Sequence, residues 1–367
     1  MEFILEYLCY FFILVTIIYY TSRKIGISQH HYKYQELDGL RGICAAFVCI
    51  FHLYWRAGGA ADNYWSINYI NSSIVKHAIY LTGELPVGLF FMLSGFLFFK
   101  KALDDKFNLK EFIVSRFLRI YPPVIITLLL IYILTIPLSD SPQLSNWSWF
   151  LSSLPFIFTP PGSTINGTSL QIATSGVFWT LVWELRLYFA IPFMYLIMKR
   201  IKHKAIFIII MMVIVLFYSK LIIKKQELSY IMYFLCGFLL ATIKYSRKPS
   251  DMVCIILLLL AVYFTKHAYN TTTPLYMMVV FYIIKNGFNL FGLLTCLPIR
   301  YLGTCSFSLY LIHGICQTVS KHFLYDGNEY IWKVISLITA GVLAPLMYKL
   351  VESRSIYLSS KLKTVKV

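Results

Sequence analysis

Residues 38–54 read DGLRGICAAFVCIFHLY, an apolar run whose interior carries one arginine, Arg41, and one histidine, His52. The length of this run is close to the roughly 20 residues that a helix needs to cross the hydrocarbon core of a bilayer. Ionisable side chains within such a helix are costly, so each one marks a candidate functional position. The segment therefore predicts a membrane-spanning helix with two polar groups to explain.

The rest of the chain has the same character, since 59% of its 367 residues are hydrophobic and only 13% are charged. A soluble domain has an apolar fraction of roughly 45–50%, so a soluble cytosolic enzyme is excluded. The formal net charge of +17 is carried by short basic clusters between the apolar runs. This placement is typical of a multi-spanning protein surrounded by membrane lipids, and no nucleic-acid partner is expected.

The apolar runs predict an all-α, polytopic membrane bundle of about 11 transmembrane helices. Their approximate limits are 3–20, 38–54, 84–99, 121–138, 177–198, 205–222, 229–243, 252–265, 274–284, 302–320 and 331–350. A signal peptide is the alternative interpretation of the first run, but no small-residue cleavage site follows it.

The basic residues also predict the orientation, because alternate loops carry 23 and 6 Lys and Arg side chains. Loops rich in Lys and Arg stay in the cytoplasm, which places the N-terminus outside and the C-terminus inside. Residues 1–33 are then an additional N-terminal transmembrane helix with a cytoplasmic linker. Residues 34–352 form the main membrane domain, and residues 353–367 form a basic cytoplasmic tail.

Arg41 and His52 are eleven residues apart. At about 100° per residue this brings both to one helix face, with about 16 Å between them along the axis. The spacing suits an elongated ligand whose anionic end stays at Arg41 while its reactive end reaches His52. The structural alternative is a snorkelling Arg41 paired with Asp38 and a core histidine bonded to a carbonyl group.

Glu184 and His313 lie in spans of opposite direction, and helical rise places both at a depth similar to that of His52. A carboxylate beside an imidazole fixes its tautomer and raises its basicity, as a general base near neutral pH requires. The three side chains are therefore candidates for one catalytic group. The alternative is a packing pair that satisfies two buried polar groups.

Arg116 and Arg119 are expected one turn apart on a cytoplasmic interfacial helix that ends at Pro122-Pro123. Two guanidinium groups on one face can hold phosphates, although ordinary cytoplasmic loop charge is the alternative. Ser94 precedes Gly95 in a bulky apolar run. Such a small pair admits a thin ligand arm or, more commonly, a neighbouring helix.

The longest outer loop, residues 139–176, contains Asp140 as its single charged residue and carries Trp147 and Trp149. Its length predicts a lid or an acceptor platform. An interfacial aromatic belt is the equally acceptable alternative.

Together these elements resemble the acyltransferase-3 family of membrane-bound acyltransferases, which includes bacterial O-antigen and other surface-glycan O-acetyltransferases. The resemblance runs from Tyr34 to Glu352. It is carried by LDGLRG at 37–42 with FH at 51–52, GLFFMLSGFL at 88–97, RFLRIYP at 116–122, FWTL at 178–181 with Glu184 and Tyr188, and SFSLYLIH at 306–313.

The chain also departs from the pattern of the family. Thr180 replaces the usual serine, and Leu185 stands where a second carboxylate is common. The terminal Glu-x-Pro appears as Glu352-Ser353-Arg354, without its proline. An additional span precedes the matching region, and no fused hydrolase-like domain is expected after Leu350.

The resemblance implies acyl transfer from cytoplasmic acyl-CoA, most often acetyl-CoA, to a hydroxyl of an extracytoplasmic glycan or lipid-linked glycan, such as lipopolysaccharide O-antigen. The location implied is the bacterial inner membrane, and no metal is expected. His52, Glu184 and His313 would form the catalytic group, with His52 as the general base. Arg41, Ser94, Arg116 and Arg119 would bind the donor, and Trp147, Trp149 and Trp179 would bind the acceptor.

Direct transfer within a ternary complex is the expected mechanism, and an acyl intermediate on His52 or Ser94 is the alternative. A different function that uses similar intramembrane groups is transport or flipping of an acyl donor or a lipid-linked sugar. A transporter would show repeated halves with broken helices, and the sequence shows no such symmetry.

Overall fold

A computed structural model of the protein describes residues 2–29, 34–57, 67, 69–104, 107–138, 164–166, 168–221, 225–324 and 328–364. The α-helices are α1 (Glu2–Lys24), α2 (Gln35–Ala57), α3 (Ser73–Ala102), α4 (Leu109–Thr135), α5 (Leu170–Ala173), α6 (Phe178–Arg200), α7 (Lys204–Leu221), α8 (Lys225–Thr242), α9 (Asp251–Phe264), α10 (Thr273–Lys285), α11 (Leu297–Thr304), α12 (Ser306–Leu324), α13 (Glu329–Met347) and α14 (Ser353–Thr364). Short 3₁₀ turns cover Ile136–Leu138 and Leu293–Thr295, and a π-helix covers Tyr348–Glu352.

The predicted all-helical, multi-pass membrane fold is confirmed, because helix is found at each of the eleven predicted positions. Within the described residues, seven helical segments are long and apolar enough to cross a membrane: Phe3–Lys24, Gln35–Trp55, Ser73–Ala102, Leu109–Leu138, Phe178–Arg200, Lys204–Leu221 and Glu329–Lys361. The apolar helices α9 and α10 have only 14 and 13 residues. At about 1.5 Å per residue they are shorter than a hydrocarbon core of about 30 Å.

The expected interfacial helix ending at Pro122-Pro123 is wrong, because α4 runs without interruption from Leu109 to Thr135. The two prolines remove the backbone donors that would bond the carbonyl groups of Leu118 and Arg119. Tertiary packing holds the helix through this point, since Pro123 and Val124 are buried. Arg116 and Arg119 therefore belong to a membrane-spanning helix.

The predicted span over residues 302–320 is divided in the structure, because α11 ends at Thr304 and α12 begins at Ser306. The hydroxyl groups on both sides of the break bond to local carbonyl groups. Thr304 donates to the Arg300 carbonyl oxygen at 3.0 Å, and Ser306 donates to that of Gly303 at 2.8 Å. Such local bonds compete with regular helix and favour a break.

The C-terminal region is helical through all of its described residues, since the π-helix joins α13 to α14. The part of the predicted tail that the structure describes, residues 353–364, is thus a helix.

Among the described residues, the β-structure is a short antiparallel ribbon of two strands, β1 (Thr164–Ile165) and β2 (Thr168–Ser169). Asn166 between the strands donates to the Tyr132 carbonyl oxygen and to the Thr135 hydroxyl, which attaches the ribbon to α4. Trp147 and Trp149 lie outside the described residues.

Helices α2 and α11 meet backbone to backbone, and glycines make this approach possible. A Cβ atom on Gly303 would lie 2.2 Å from the Asp38 carbonyl oxygen, and one on Gly42 would lie 2.6 Å from the Gly303 nitrogen. Small residues are the usual means of close helix packing in membranes. This contact fixes the segment of α2 that carries Arg41.

We expect Gly303→Ala to destabilise the folded protein by about 1–3 kcal/mol, the typical cost of overpacking a close contact. The added methyl would meet backbone atoms rather than a movable side chain. Val279→Ile is the matched control, since it adds one methylene to an exposed position on α10. The thermal midpoint of the detergent-solubilised protein measures the effect, and equal midpoints for the two variants would contradict the packing described here.

Contacts between helix termini show which polar and charged residues lie at the same end of the bundle. At one end Gln29 donates to the Thr304 hydroxyl at 3.2 Å, and Lys349 donates to the Gly26 carbonyl oxygen at 3.0 Å. At the other end Lys333 lies 3.9 Å from Glu6 and 3.8 Å from Glu329. The end of the bundle at which Gly26 and Gln29 contact Lys349 and Thr304 is called the basic end.

Candidate active site

Helix α2 carries two ionisable candidate site residues, Arg41 and His52. Arg41 donates through Nη1 to Asp38 Oδ1 at 3.0 Å, so the ion pair expected for a structural arginine is present. The guanidinium also lines two cavities. Arg41 therefore forms an ion pair and also lines the cavities in which a ligand could bind.

The first cavity, called the arginine cavity here, has a volume of about 130 Å³. Its wall contains three guanidinium groups and one carboxylate, together with hydroxyl and aromatic side chains. These lining residues include Arg41, Arg116, Arg119, Glu184, Ser94, Thr180, Ser306, Phe90, Phe91, Phe307 and Tyr310. Because positive charge exceeds negative charge in a poorly solvated wall, the cavity favours an anionic ligand.

The two arginines of α4 are held by different neighbours. The Arg116 guanidinium lies over the Phe98 ring, 5.0 Å from its centre. Arg119 Nη2 lies 3.8 Å from Glu352 Oε1, and about a third of the Arg119 side chain is exposed. A guanidinium with accessible surface keeps donors for a phosphate or carboxylate.

Glu352 is a site residue whose role sequence reasoning missed. It is buried, it accepts a hydrogen bond from Ser308 at 2.9 Å, and it ends the π-helix Tyr348–Glu352. Isolated π-turns occur frequently at functional sites. The signal in the sequence is the similarity of Glu352-Ser353-Arg354 to the Glu-x-Pro of the family, although the proline is absent.

A second cavity of about 460 Å³, called the entrance cavity here, lies at the basic end. It shares Arg41, Leu97 and Arg119 with the arginine cavity, so the two cavities adjoin. Its lining adds Gln29, Tyr34, Leu37, Asp38, Arg300, Gly303, Thr304, Tyr348, Glu352 and Ile356. In the sequence, Arg300 is one of the basic loop residues that indicate orientation. The structure places it in the wall of a cavity that also contains Arg41.

The structure brings His52 and His313 together, with ring centres 5.3 Å apart and planes at 33°. Both side chains are buried. His313 Nδ1 lies 3.2 Å from the Leu309 carbonyl oxygen, which can only accept, so in the neutral imidazole the proton is on Nδ1. Nε2 of His313 then carries the lone pair.

Glu184 lies in the wall of the arginine cavity and accepts a hydrogen bond from Tyr188, one turn further along α6. The structure thus places the Glu184 carboxylate among the arginines of the cavity wall, and its catalytic role with the histidines stays a prediction. A carboxylate there lowers the mutual repulsion of Arg41, Arg116 and Arg119.

One face of α12 connects the arginine cavity with the histidine pair. Ser306 and Tyr310 line the cavity, and His313 follows Tyr310 by three residues. The rings of Tyr310 and His313 lie 6.0 Å apart. The histidine pair thus lies about one helical turn beyond the cavity, on the side away from the basic end.

The structure places Ser94 and Gly95 in different surroundings. Ser94 lines the arginine cavity. A Cβ atom on Gly95 would lie 2.6 Å from the Phe234 carbonyl oxygen, so Gly95 serves the packing of α3 against α8.

Trp179 belongs to an aromatic cluster beside the arginine cavity rather than to its wall. Its ring lies 5.0 Å from that of Tyr230, 6.1 Å from that of Tyr269 and 6.0 Å from that of Phe91. Phe91 also lines the arginine cavity, so the cluster and the cavity share a boundary.

We expect Arg116→Ala and Arg119→Ala each to weaken donor binding by about 1.5–3 kcal/mol, the cost of one charge-assisted hydrogen bond. This corresponds to about a 10- to 150-fold higher dissociation constant. Arg200→Ala is the control, because Arg200 is an exposed arginine at the end of α6. Calorimetry with purified protein and an acyl-CoA checks the prediction, and donor affinity unchanged in both α4 variants would identify these arginines as ordinary topogenic charges.

A buried histidine pair thus lies beyond a cavity whose lining includes three arginines. The family described as an acyltransferase domain, acyltransferase 3, matches residues 34–349. The chain belongs to this family. The family resemblance noted in the sequence is confirmed.

The chain is also similar to a Bacillus subtilis (strain 168) protein named "Putative peptidoglycan O-acetyltransferase YrhL". The two are 22% identical over 379 residues, which cover 89% of this chain and 55% of the relative. The chain thus spans about half the length of this curated relative. No solved structure matches the chain.

Proposed function

We propose that this protein transfers an acetyl group from cytoplasmic acetyl-CoA to a hydroxyl of an extracytoplasmic glycan. The observation that supports it best is the pair of adjoining cavities, which together contain Arg41, Arg116, Arg119 and Arg300. Guanidinium groups bind phosphate oxygens in bidentate fashion, and a nucleotide donor presents several phosphates. The histidine pair one turn beyond the cavity supplies the basic group that acyl transfer needs.

In this proposal the donor nucleotide occupies the entrance cavity, and its phosphates are held by Arg41, Arg116, Arg119 and Arg300 around the two adjoining cavities. The thioester arm passes Ser94 into the arginine cavity, whose lining includes Phe90, Phe91 and Tyr310. The acyl end then points along α12 towards His313 and His52. Positively charged walls at the basic end also raise the local concentration of an anionic donor.

His52 acts in this mechanism as the general base. It takes the proton from the sugar hydroxyl, whose oxygen forms a bond to the thioester carbonyl carbon. The carbon–sulfur bond then breaks, and the proton held by His52 returns to the thiolate, which leaves as the free thiol. His313 supports this step by its ring contact with His52, and positioned acid–base groups contribute about 10²- to 10⁴-fold to rate.

The acceptor is a surface glycan, and peptidoglycan is the first glycan to examine because the relative carries that word in its name. Lipopolysaccharide O-antigen, the acceptor that the resemblance suggested, is the second. We assign Trp179 and its aromatic neighbours to the acceptor side, since aromatic rings give the flat apolar surfaces on which sugars stack. Trp147 and Trp149 remain predicted acceptor contacts.

Mass spectrometry of surface glycans from cells with and without the gene tests this function. We expect an acetyl-sized increase on one glycan, lost without the gene and restored by the intact gene. Separate digests of peptidoglycan and of extracted outer polysaccharide distinguish the two acceptors. Identical spectra from both strains in both fractions would contradict the proposed function.

The orientation can be tested independently, with the N-terminus proposed outside and the basic end proposed in the cytoplasm. His203 and Lys266 are exposed in turns that precede α7 and follow α9, on opposite predicted sides. We expect an impermeant thiol reagent to label Lys266→Cys in intact cells and to leave His203→Cys unlabelled, in a background without native cysteines. The reverse pattern would overturn the proposed route of the donor.

A further inference from the structure

Tyr310 stands between the arginine cavity and the histidine pair. Its side chain is buried and lines the cavity. Its ring lies 6.1 Å from that of Phe90 on α3 and 6.0 Å from that of His313 on its own helix. A donor that enters by the arginines must therefore bring its acyl end past this phenol to reach His52.

The Tyr310 hydroxyl has a partner that can release it. It lies 2.8 Å from the Thr180 hydroxyl and 3.5 Å from the Val177 carbonyl oxygen. Thr180 donates to the same Val177 oxygen at 2.8 Å, which is the better bond. With the Thr180 proton held there, the Tyr310 proton points to the Thr180 oxygen.

This bond can be exchanged at low cost. If the Tyr310 proton turns to a ligand oxygen in the cavity, the Thr180 hydroxyl keeps its bond to Val177 and loses only one acceptor interaction. A hydroxyl oxygen that loses one accepted hydrogen bond costs less than a buried N–H or O–H donor that is left without an acceptor. The pair therefore holds one donor ready at the end of the arginine cavity nearest to His313.

The other hydroxyl on this face of α12 does not offer its proton in the same way. Ser306 lines the cavity near its arginine end and donates to the Gly303 carbonyl oxygen at 2.8 Å. The guanidinium groups in turn are assigned to the donor phosphates. Tyr310 is thus the donor placed at the acyl end.

We propose that Tyr310 is a catalytic residue that donates a hydrogen bond to the carbonyl oxygen of the donor thioester. This inference rests on the proposed acyl transfer from a thioester donor. As the sugar oxygen attacks, the carbonyl oxygen gains negative charge, and the Tyr310 hydroxyl stabilises it without transferring its proton. The charge returns to the carbonyl bond when the carbon–sulfur bond breaks, so Tyr310 is unchanged at the end of the cycle.

The test is steady-state acetyl transfer by the purified full chain, with acetyl-CoA as donor and the glycan fraction from cells without the gene as acceptor. We expect Tyr310→Phe to lower kcat by about 10²- to 10³-fold, the usual effect of removing one oxyanion donor. The KM for the donor and the thermal midpoint should change little, because phenylalanine keeps the ring. Thr180→Val should cause a smaller loss, since the Tyr310 donor remains.

Tyr218→Phe is the matched control, because Tyr218 is an exposed tyrosine on α7. Wild-type kcat in Tyr310→Phe would overturn the proposal, since the ring would then serve only as packing. A raised KM with unchanged kcat would overturn it equally, because the hydroxyl would then bind the ground state alone. If the wild-type protein itself transfers no acetyl group, the proposed function fails as well, and that result is distinct from the first two.

Discussion

Replacing His52 with alanine is expected to lower the acyl-transfer rate by about 10²- to 10⁴-fold, the contribution of a positioned general base. The side chain is buried on α2 with its ring 5.3 Å from that of His313. The alanine variant has no base at position 52, where this mechanism deprotonates the sugar hydroxyl. We expect donor affinity to stay near the wild-type value, because the arginines that hold the phosphates remain.

Purified protein, acetyl-CoA and, as acceptor, the corresponding glycan fraction from cells without the gene provide the assay for this variant, with calorimetry for donor binding. His203→Ala is the matched control, since His203 is exposed in the turn before α7. The control should be as active as the wild type. Full activity of His52→Ala, with normal folding, would remove His52 from the mechanism and leave His313 as the candidate base.

Glu352→Ala is expected to destabilise the protein by about 1–3 kcal/mol, because the buried Ser308 hydroxyl loses its acceptor and Arg119 loses a charged neighbour. Glu352 is 1% exposed and lies 3.8 Å from Arg119, with Ser308 donating to its other oxygen. Its loss leaves the positive charge of Arg119 beside Arg41 without this carboxylate. The thermal midpoint in detergent should fall clearly.

An anionic donor should then stabilise the variant more than it stabilises the wild type, because its phosphates supply the missing negative charge. Glu352→Gln separates the two contributions, since it keeps the shape and an acceptor for Ser308 but removes the charge. Glu329→Gln, at the opposite end of the bundle, is the control for loss of a charged partner elsewhere. An unchanged midpoint in Glu352→Ala would show that this carboxylate does not stabilise the arginine cluster.

The shared face of Arg41 and His52 could be predicted because it depends only on the regular geometry of one helix. The meeting of His52 with His313 followed from helical rise, which gives the depth of each residue in the membrane. Depth does not give the angular position around a bundle. Depth alone therefore did not predict that Glu184 lies in the wall of the arginine cavity.

The interruptions of helices were less predictable, because tertiary packing decides them. Pro122-Pro123 is a strong local stop signal, yet α4 continues through it with Pro123 buried. The break after Thr304 falls inside an apolar run with no proline or glycine at residue 305. Local sequence preference favours a break at Pro122-Pro123 and a continuous helix through residue 305. Contacts with neighbouring helices impose the opposite result at both places.

Arg300 and Glu352 show the same limit at the site. In the sequence, a loop arginine that sets topology looks the same as one that lines a ligand cavity. Only the fold brings Arg300, Arg41 and Glu352 to one wall of the entrance cavity. The acceptor contacts of Trp147 and Trp149 stay predictions from the sequence.

The most direct measurement of transfer across the membrane uses sealed inverted vesicles, whose outer surface is the cytoplasmic face. Acetyl-CoA labelled in its acetyl group is added outside, and the glycan acceptor is enclosed within the vesicles. We predict that the enclosed acceptor becomes labelled with the wild-type protein and stays unlabelled with His52→Ala. Labelling only when acceptor and donor are on the same side of the membrane would contradict a donor route from the basic end to the histidine pair.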